Sequence, residues 1–325
     1  MRVLERLDEL YAIGDRIGYS PEEDEAHRIA RGWMEDAGLQ VSVDDAGNLI
    51  GRHRSGGEVW TGSHLDTVPN GGRYDGALGV VAGIEAVAAA GRGVVVVFRD
   101  EERGCRGSRA FTEQPGAYLE LHIEQGPRLA DAGVPLGIVT GIAGVARGDL
   151  ATEGRVGHAG TVPMQGRSDA LVAAAELILR IRDTATAIEG AVATVGRVTV
   201  EPGFANVIPS RVILGVDARA PDADRFARLI EELGLEPGYR LEPVGMSARV
   251  CSVLRAELGR RDLPVVELPS GAGHDAGILA ARGIHAGMLF VRSLNGGVSH
   301  SPDELSSDED IGLAVEVLAG ALSAL

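Results

Sequence analysis

Apolar and polar positions in the first third of the chain switch between the period of a helix and the unbroken runs of buried strands. Residues 21–38, PEEDEAHRIARGWMEDAG, carry helical spacing, an acidic first turn and a terminal Gly38. LQVSVDDAGNLIGRHR reads as two short strands around an Ala-Gly turn. EVWTGSHLD runs from a strand into a glycine-rich loop. GALGVVAGIEAVAAAG then follows as a helix apolar on most sides, with Asp75 near its N-cap. GVVVVFRDEE has the continuous β-branched run of a strand buried on both faces of a parallel sheet, and AYLELHIEQG reads as another strand. Strand and helix alternate, which predicts an α/β architecture.

From about Val139 to Gly245 the texture changes. VARGDLATEGRVG is strand-like, 168–182 helical, AVATVGRVTVEPG and SRVILGVDARAP strand-like, DADRFARLIEELG helical and YRLEPVG strand-like. The order β-α-β-β-α-β is the ferredoxin-like pattern of a separate α+β domain. The α/β texture then returns with a helix near 247–260, strands PVVELPS and AGMLFV, and a last helix from about 307 with Ser306 and Glu309 as its capping box. The expected organisation is a catalytic α/β domain from 1–139 and 246–325, interrupted by a ferredoxin-like domain at 140–245.

Composition narrows the function. A length of 325 residues suits two domains. The net charge of −16 argues against a nucleic-acid partner, which needs a basic face, and favours a small-molecule substrate. Cys105 and Cys251 cannot build a disulfide framework. The N-terminus lacks the apolar core of a signal peptide, and the longest apolar stretch is broken by Glu85. No membrane partner is expected, and the location expected is cytoplasmic.

Polar groups cluster where the strands stop: His64 and Asp66 after VWTGS, Glu101 and Glu102 after VVVVFRD, and His122, Glu124 and Gln125 in LELHIEQG. Ligands of open α/β sheets bind at the carboxyl ends of strands. His300, in the loop GGVSHSPDE, adds a third imidazole. Histidines and carboxylates without a thiolate suit zinc or another first-row divalent ion. A pair of ions needs a shared carboxylate, and Asp75 suits that bridge opposite His64. Asp66 is placed to accept the second N–H of His64. The Glu pair would divide its work between ligation and proton transfer. An isolated Glu-Glu pair is usually a solvated turn, and a lone His-x-Asp is as often a satisfied polar group as a ligand. Carboxylates that follow four valines and a phenylalanine end deep in a domain and need partners there. His27 and His53, in charged surroundings, are expected at the surface.

With these residues in place, the sequence resembles the dinuclear-zinc amidohydrolases related to carboxypeptidase and aminoacylase. It is most similar to the branch of N-carbamoyl-L-amino acid hydrolases, bacterial ureidopropionase and allantoate amidohydrolase. The resemblance covers nearly the whole chain and rests on GSHLDTVPNGGRYDGALGV, DEE, LHIEQGP, GHAGTVPM, NVIPSRV, DARAPD, PSGAGHDA and SHSPDE. HIEQGP is the most discriminating, because peptidase branches usually carry an acidic ligand where this branch has the histidine. The resemblance implies a zinc-exopeptidase-like catalytic domain with an inserted lid and dimerisation domain. It implies two divalent ions per chain, zinc first, with manganese, cobalt or nickel as alternatives. His64 and His122 would hold one ion, Glu102 and His300 the other, and Asp75 would bridge them. Glu101 would be the general base for the attacking water, and Asp66 would orient His64. His158 would stabilise the oxyanion, while Asn206 and Arg219 would hold a substrate carboxylate, an arginine being suited to a bidentate clamp. Gln125 would bind substrate near the metals.

Several of these positions have plainer roles open to them. Arg219 could pair with Asp217 or Asp222, Asn206 could cap a turn, and His274 could either line the substrate pocket or fix its own loop. Cys105 has no role in this scheme. The implied reaction is hydrolysis of a linear C–N bond, amide or ureido, in an N-carbamoyl-L-amino acid or allantoate-type substrate that bears a carboxylate, and the resemblance implies a homodimer formed through the inserted domain. An aminoacylase or dipeptidase would use the same machinery, and a catalytically silent binding homologue is the third possibility. Against the family pattern, the segment between Glu102 and His122 is short.

Overall fold

The structure is a computed structural model that describes residues 2–325. In chain order the elements are α1 (Arg2–Tyr11), α2 (Pro21–Asp36), β1 (Gln40–Val43), β2 (Leu49–Arg52), β3 (Val59–His64), α3 (Ala77–Ala90) and β4 (Val94–Phe98). Then come α4 (Arg106–Ala110), β5 (Ala117–Ile123), α5 (Arg128–Ala132), β6 (Leu136–Ile142), β7 (Gly144–Glu153), β8 (Gly157–His158) and α6 (Ala170–Thr186). They are followed by β9 (Val192–Glu201), β10 (Val207–Ile208), β11 (Arg211–Ala220), α7 (Ala223–Leu233), β12 (Tyr239–Leu241) and β13 (Val244–Gly245). The chain ends with α8 (Ala248–Arg260), β14 (Glu267–Ser270), α9 (Asp275–Ala281), β15 (Ala286–Val291) and α10 (Asp308–Ala324).

Two compact units result, Met1–Ile142 with Gly245–Leu325, and Ala143–Val244. The first contains a mixed sheet that runs β1-β2-β4-β3-β5-β15-β6, with β14 beside β6. Strands β4, β3, β5 and β15 are mutually parallel, whereas β2 and β6 flank them antiparallel. Every residue of β3, β4, β5 and β15 is buried, as continuous apolar runs in a parallel sheet require. Helix α3 is buried from Ala77 to Val87 apart from Glu85, and it packs on β3 and α10. Each fully buried valine or leucine there contributes about 1.5–3 kcal/mol relative to exposure.

The second unit realises the ferredoxin-like order as β7-α6-β9-β11-α7-β12. Its antiparallel sheet runs β12-β7-β11-β9, so β9 is an edge. Helices α6 and α7 cover one face with Ala174, Leu177, Ile181, Phe226 and Leu229 against Val212, Leu214 and Val216 of β11. The expected fold class, an α/β domain carrying an inserted ferredoxin-like one, is borne out.

The N-terminal residues form α1, whose Val3, Leu7 and Leu10 are buried at helical spacing. Several local expectations change. The cap of α10 is Ser307, whose hydroxyl accepts from the Asp310 N–H at 3.1 Å, while the Ser306 hydroxyl instead donates to the Arg292 carbonyl. His53 is half-buried. His27 is buried in the first unit rather than at the surface. Burial, with the Arg99 guanidinium nearby, pushes its imidazole down to about 3, so it is held neutral. Asp24 and Arg28 face outward from α2, while the side of the helix that carries His27 turns in and takes the buried Glu23 with it. Among the described residues no helix is long and apolar enough to cross a membrane.

Candidate metal centre

Parallel strands deliver the polar residues to one edge of the first unit's sheet. His64 ends β3 and pairs in register with Phe98 at the end of β4, so Glu101 and Glu102 emerge beside it. His122 lies one residue before the end of β5, in register with Phe290 of β15. Asp75 arrives from the loop that enters α3. The residue after it, Gly76, has φ +63°, and a Cβ there would come within 2.4 Å of the His64 ring. Only glycine lets the start of the helix approach the imidazole so closely.

Each histidine has one nitrogen anchored and one turned inward. His64 Nδ1 lies 3.1 Å from the Asp66 carbonyl and 3.3 Å from Asp66 Oδ1, leaving Nε2 3.7 Å from Asp75 Oδ1 and 3.9 Å from Glu101 Oε2. His122 Nδ1 lies 3.0 Å from the Ile123 carbonyl, and its Nε2 is 3.1 Å from Asp75 Oδ1. That Nε2 is out of line for a hydrogen bond and so is buried without a protein partner. His300 Nε2 lies 3.3 Å from Asp75 Oδ2 and 3.4 Å from Glu102 Oε2. Asp75 therefore faces two imidazoles with one oxygen and the third with the other.

Asp66 has a second task that its spacing from His64 does not reveal. Its two oxygens accept the backbone N–H groups of Glu101 and Glu102, each at 3.0 Å, which ties the Glu pair to the His64 loop. Cys105 stands next to the pair rather than apart from it, and its thiol donates to Glu101 Oε1 at 3.4 Å. Gln125 reaches Asp75 directly: its Nε2 donates to Asp75 Oδ2 at 2.8 Å and to the Ser299 hydroxyl at 3.1 Å. His274 is buried edge-to-face against His122, with ring centroids 4.5 Å apart, and its Nε2 is 2.9 Å from the Ser270 hydroxyl. Burial, together with the His122 charge, holds the His274 imidazole well below its ordinary range.

So many acids in one buried place call for cations. Burial pushes the Glu101 carboxyl well above its usual range, and burial with the Asp75 charge pushes Glu102 up to about 7. Burial opposes ionisation of Asp75 as well, yet the imidazoles of His122, His300 and His64 hold it well below the usual range. His300, hydrogen-bonded to Asp75, rises to about 9. Atoms able to hold a metal ion form two groups that share Asp75, namely His64-Asp75-His122 and Asp75-Glu102-His300, and in each group the atoms lie within 4.8 Å of one another. A third group, Glu120-His122-His274, has its carboxylate already engaged by the Ser63 hydroxyl and the Ala276 N–H. The first two fit a pair of divalent ions. The inward nitrogens are the correct donors, His122 Nε2 lacks any other partner, and one carboxylate turns an oxygen to each side.

In the second unit, His158 and Asn206 are exposed neighbours, since β8 pairs with β10 in the register Val207↔His158 and the Ala159 N–H donates to the Asn206 carbonyl at 3.0 Å. Arg219 is elsewhere, on β11, where its Nε and Nη2 donate to the two Asp217 oxygens at 2.8 and 3.2 Å. The plainer pairing considered for Arg219 is thus present.

The model of the Peptidase family M20/M25/M40 matches residues 60–324. The chain belongs to this family. An N-carbamoyl-L-amino acid amidohydrolase of Geobacillus stearothermophilus is 37% identical over 395 aligned residues, which cover 98% of this chain and 96% of that protein. Because the alignment is longer than the chain, the relative has residues that this protein lacks. An allantoate amidohydrolase of Bacillus subtilis (strain 168) is 34% identical, covering 94% of this chain and 91% of its own. Among solved structures, an amidase of the hydantoinase/carbamoylase family from Burkholderia multivorans superimposes with a TM-score of 0.90 at 27% identity, covering 99% of this chain and 97% of that one.

Proposed function

We propose that this M20-family protein hydrolyses a linear C–N bond outside peptides, in an N-carbamoyl-L-amino acid or an allantoate-type ureide. The observation that carries the reading is the convergence of His64, His122 and His300 on opposite oxygens of Asp75 with Glu101 alongside. His64 and His122 would hold one ion, Glu102 and His300 the other, with Asp75 between them. Bound there, divalent ions would supply Lewis-acid polarisation of the scissile carbonyl and ready ionisation of water. Zinc suits the imidazole and carboxylate donors, as do manganese, cobalt and nickel. Glu101, given a high proton affinity by burial, takes a proton from the attacking water and passes it to the departing nitrogen. Asp66 keeps His64 in the tautomer that presents Nε2 and holds the Glu pair in place. Gln125 and His274 border the reacting end of the substrate. For an N-carbamoyl amino acid, addition of water and cleavage of the carbamoyl C–N bond yield the amino acid, carbon dioxide and ammonia.

His158 would stabilise the oxyanion, and Asn206 and Arg219 would bind the substrate carboxylate. The three fall into two sets along the second unit's strands. The separate β8-β10 pair, with His158 and Asn206, joins the chain at the Glu153↔Arg211 end of the β7-β11 ladder, and Arg219 lies eight residues along β11 from that end. At about 3.3 Å per residue, that is more than 25 Å along the strand. We therefore assign the two sets to different copies in a homodimer built through the second unit. Its open edge β9 exposes Val192 and Val198, and α6 exposes Leu171, Val172 and Leu179. Two buried free thiols fit work in a reducing compartment such as the cytoplasm.

Two measurements test this reading. The first is ammonia release from a panel of N-carbamoyl amino acids, allantoate, N-acetyl amino acids and dipeptides. Turnover is expected with the ureido compounds, and cleavage confined to acetyl or peptide substrates would replace this reading with an aminoacylase or dipeptidase. The second mixes two inactive variants by co-expression, Glu101→Gln with either Asn206→Ala or Arg219→Ala. With random pairing half the dimers are mixed and each mixed dimer has one intact site, so one pairing is expected to regain about a quarter of the wild-type turnover and the other none. Equal failure of both pairings would sink the shared site.

A further inference from the structure

Glu304 is fastened on both sides to segments that carry proposed ligands. Its Oε2 accepts the N–H groups of Tyr74 and Asp75 at 3.1 and 3.3 Å. Its Oε1 accepts the His300 N–H at 3.1 Å and the Ser299 hydroxyl at 2.9 Å. A carboxylate offers about four acceptor positions, and here all are taken. The group is buried, and it joins residues 230 positions apart in the chain. Gly72 gives it room, for a Cβ at 72 would come within 1.9 Å of the Glu304 carboxyl carbon. Since four hydrogen bonds hold that carboxylate, it could not swing away without releasing both loops.

We propose that Glu304 is a positioning residue that fixes the backbone of Asp75 against that of His300 and so sets the spacing of the Asp75-Glu102-His300 donor group. Glu304 itself touches neither the inward imidazole nitrogen nor the reacting atoms; it acts through the two residues it binds. The first donor group depends on it less, because His64 and His122 are anchored by Asp66 and the Ile123 carbonyl. The consequence is selective. Weakening Glu304 loosens the ion held by Glu102 and His300 more than the ion held by His64 and His122.

This inference rests on the ligand assignment proposed above, and the experiment separates the two. Zinc is titrated into metal-stripped wild type, Glu304→Gln and Gly72→Ala against a chromophoric chelator, with bound metal counted by mass spectrometry. In Glu304→Gln an NH2 replaces one accepting oxygen, so one pair of hydrogen bonds is lost with little change in volume. Gly72→Ala displaces the carboxylate without altering any polar group. Both variants are expected to keep one ion at wild-type affinity and to hold the second about 10–100-fold more weakly. Their kcat should recover at saturating zinc, which a general packing defect would not allow. Folded variants that bind both ions as wild type does overturn the role of Glu304. A wild type that binds fewer than two ions overturns the ligand assignment, and this inference with it.

Discussion

Glu101→Gln is expected to lower kcat by about 10²–10⁴-fold, the usual contribution of a positioned general base, while both metal ions stay bound. The geometry separates these outcomes. Glu101 lies 3.9 Å from His64 Nε2 through one oxygen and receives the Cys105 thiol at the other, and it belongs to neither donor group. Its backbone N–H is held by Asp66, so the amide would occupy the same place. What the amide lacks is a proton affinity sufficient to take a proton from water. Steady-state ammonia release gives kcat, and metal counting gives the stoichiometry. Wild-type turnover in Glu101→Gln would remove Glu101 from the proton-transfer role, and loss of metal would recast it as a ligand.

Asp75→Ala is expected to empty both positions together. Asp75 faces His64 and His122 with Oδ1 and His300 with Oδ2, so no other single side chain belongs to both groups. The backbone at 74–75 remains held by Glu304, and α3 remains buried, so the fold should survive the truncation. His64→Ala, by contrast, removes a donor from one group only. After dialysis against a chelator, Asp75→Ala should retain no stoichiometric metal and no measurable turnover, whereas His64→Ala should keep one ion. Retention of one tightly bound ion in Asp75→Ala would show that the two groups do not share this carboxylate.

The strands that carry the centre were legible in the sequence because burial on both faces leaves an unbroken apolar run. VVVVF followed by RDEE, and LELHI followed by EQG, mark strand ends directly. Strand β6 was harder to see, since LGIVTGI merges into the strand after it. The donor residues were visible as residue types at strand ends. Their joint orientation was not, because it depends on backbone contacts such as those of Asp66 with the N–H groups of Glu101 and Glu102. Glu304 and Ser299 lay inside a motif already singled out by sequence, but nothing in the residue types reveals that a carboxylate will bind the backbone of a loop 230 positions earlier. Arg16 escaped notice for the same reason. Its buried guanidinium donates to the carbonyls of Leu65 and Leu10, beneath the His64 loop, and is recognisable only once the chain has folded. The pairing of Arg219 with Asp217, two residues away on the same strand face, was the kind of local contact that spacing does reveal.

The insertion of Ala143–Val244 between the two segments of the first unit gives the centre an order of manufacture. His64, Asp75 and His122 are all translated before the insertion begins, together with β3, β4 and β5. His300 and Glu304 follow only after the insertion and β15. A ribosome therefore delivers one donor group whole and the other in two instalments, and the later instalment comes with the carboxylate that joins it to the earlier one.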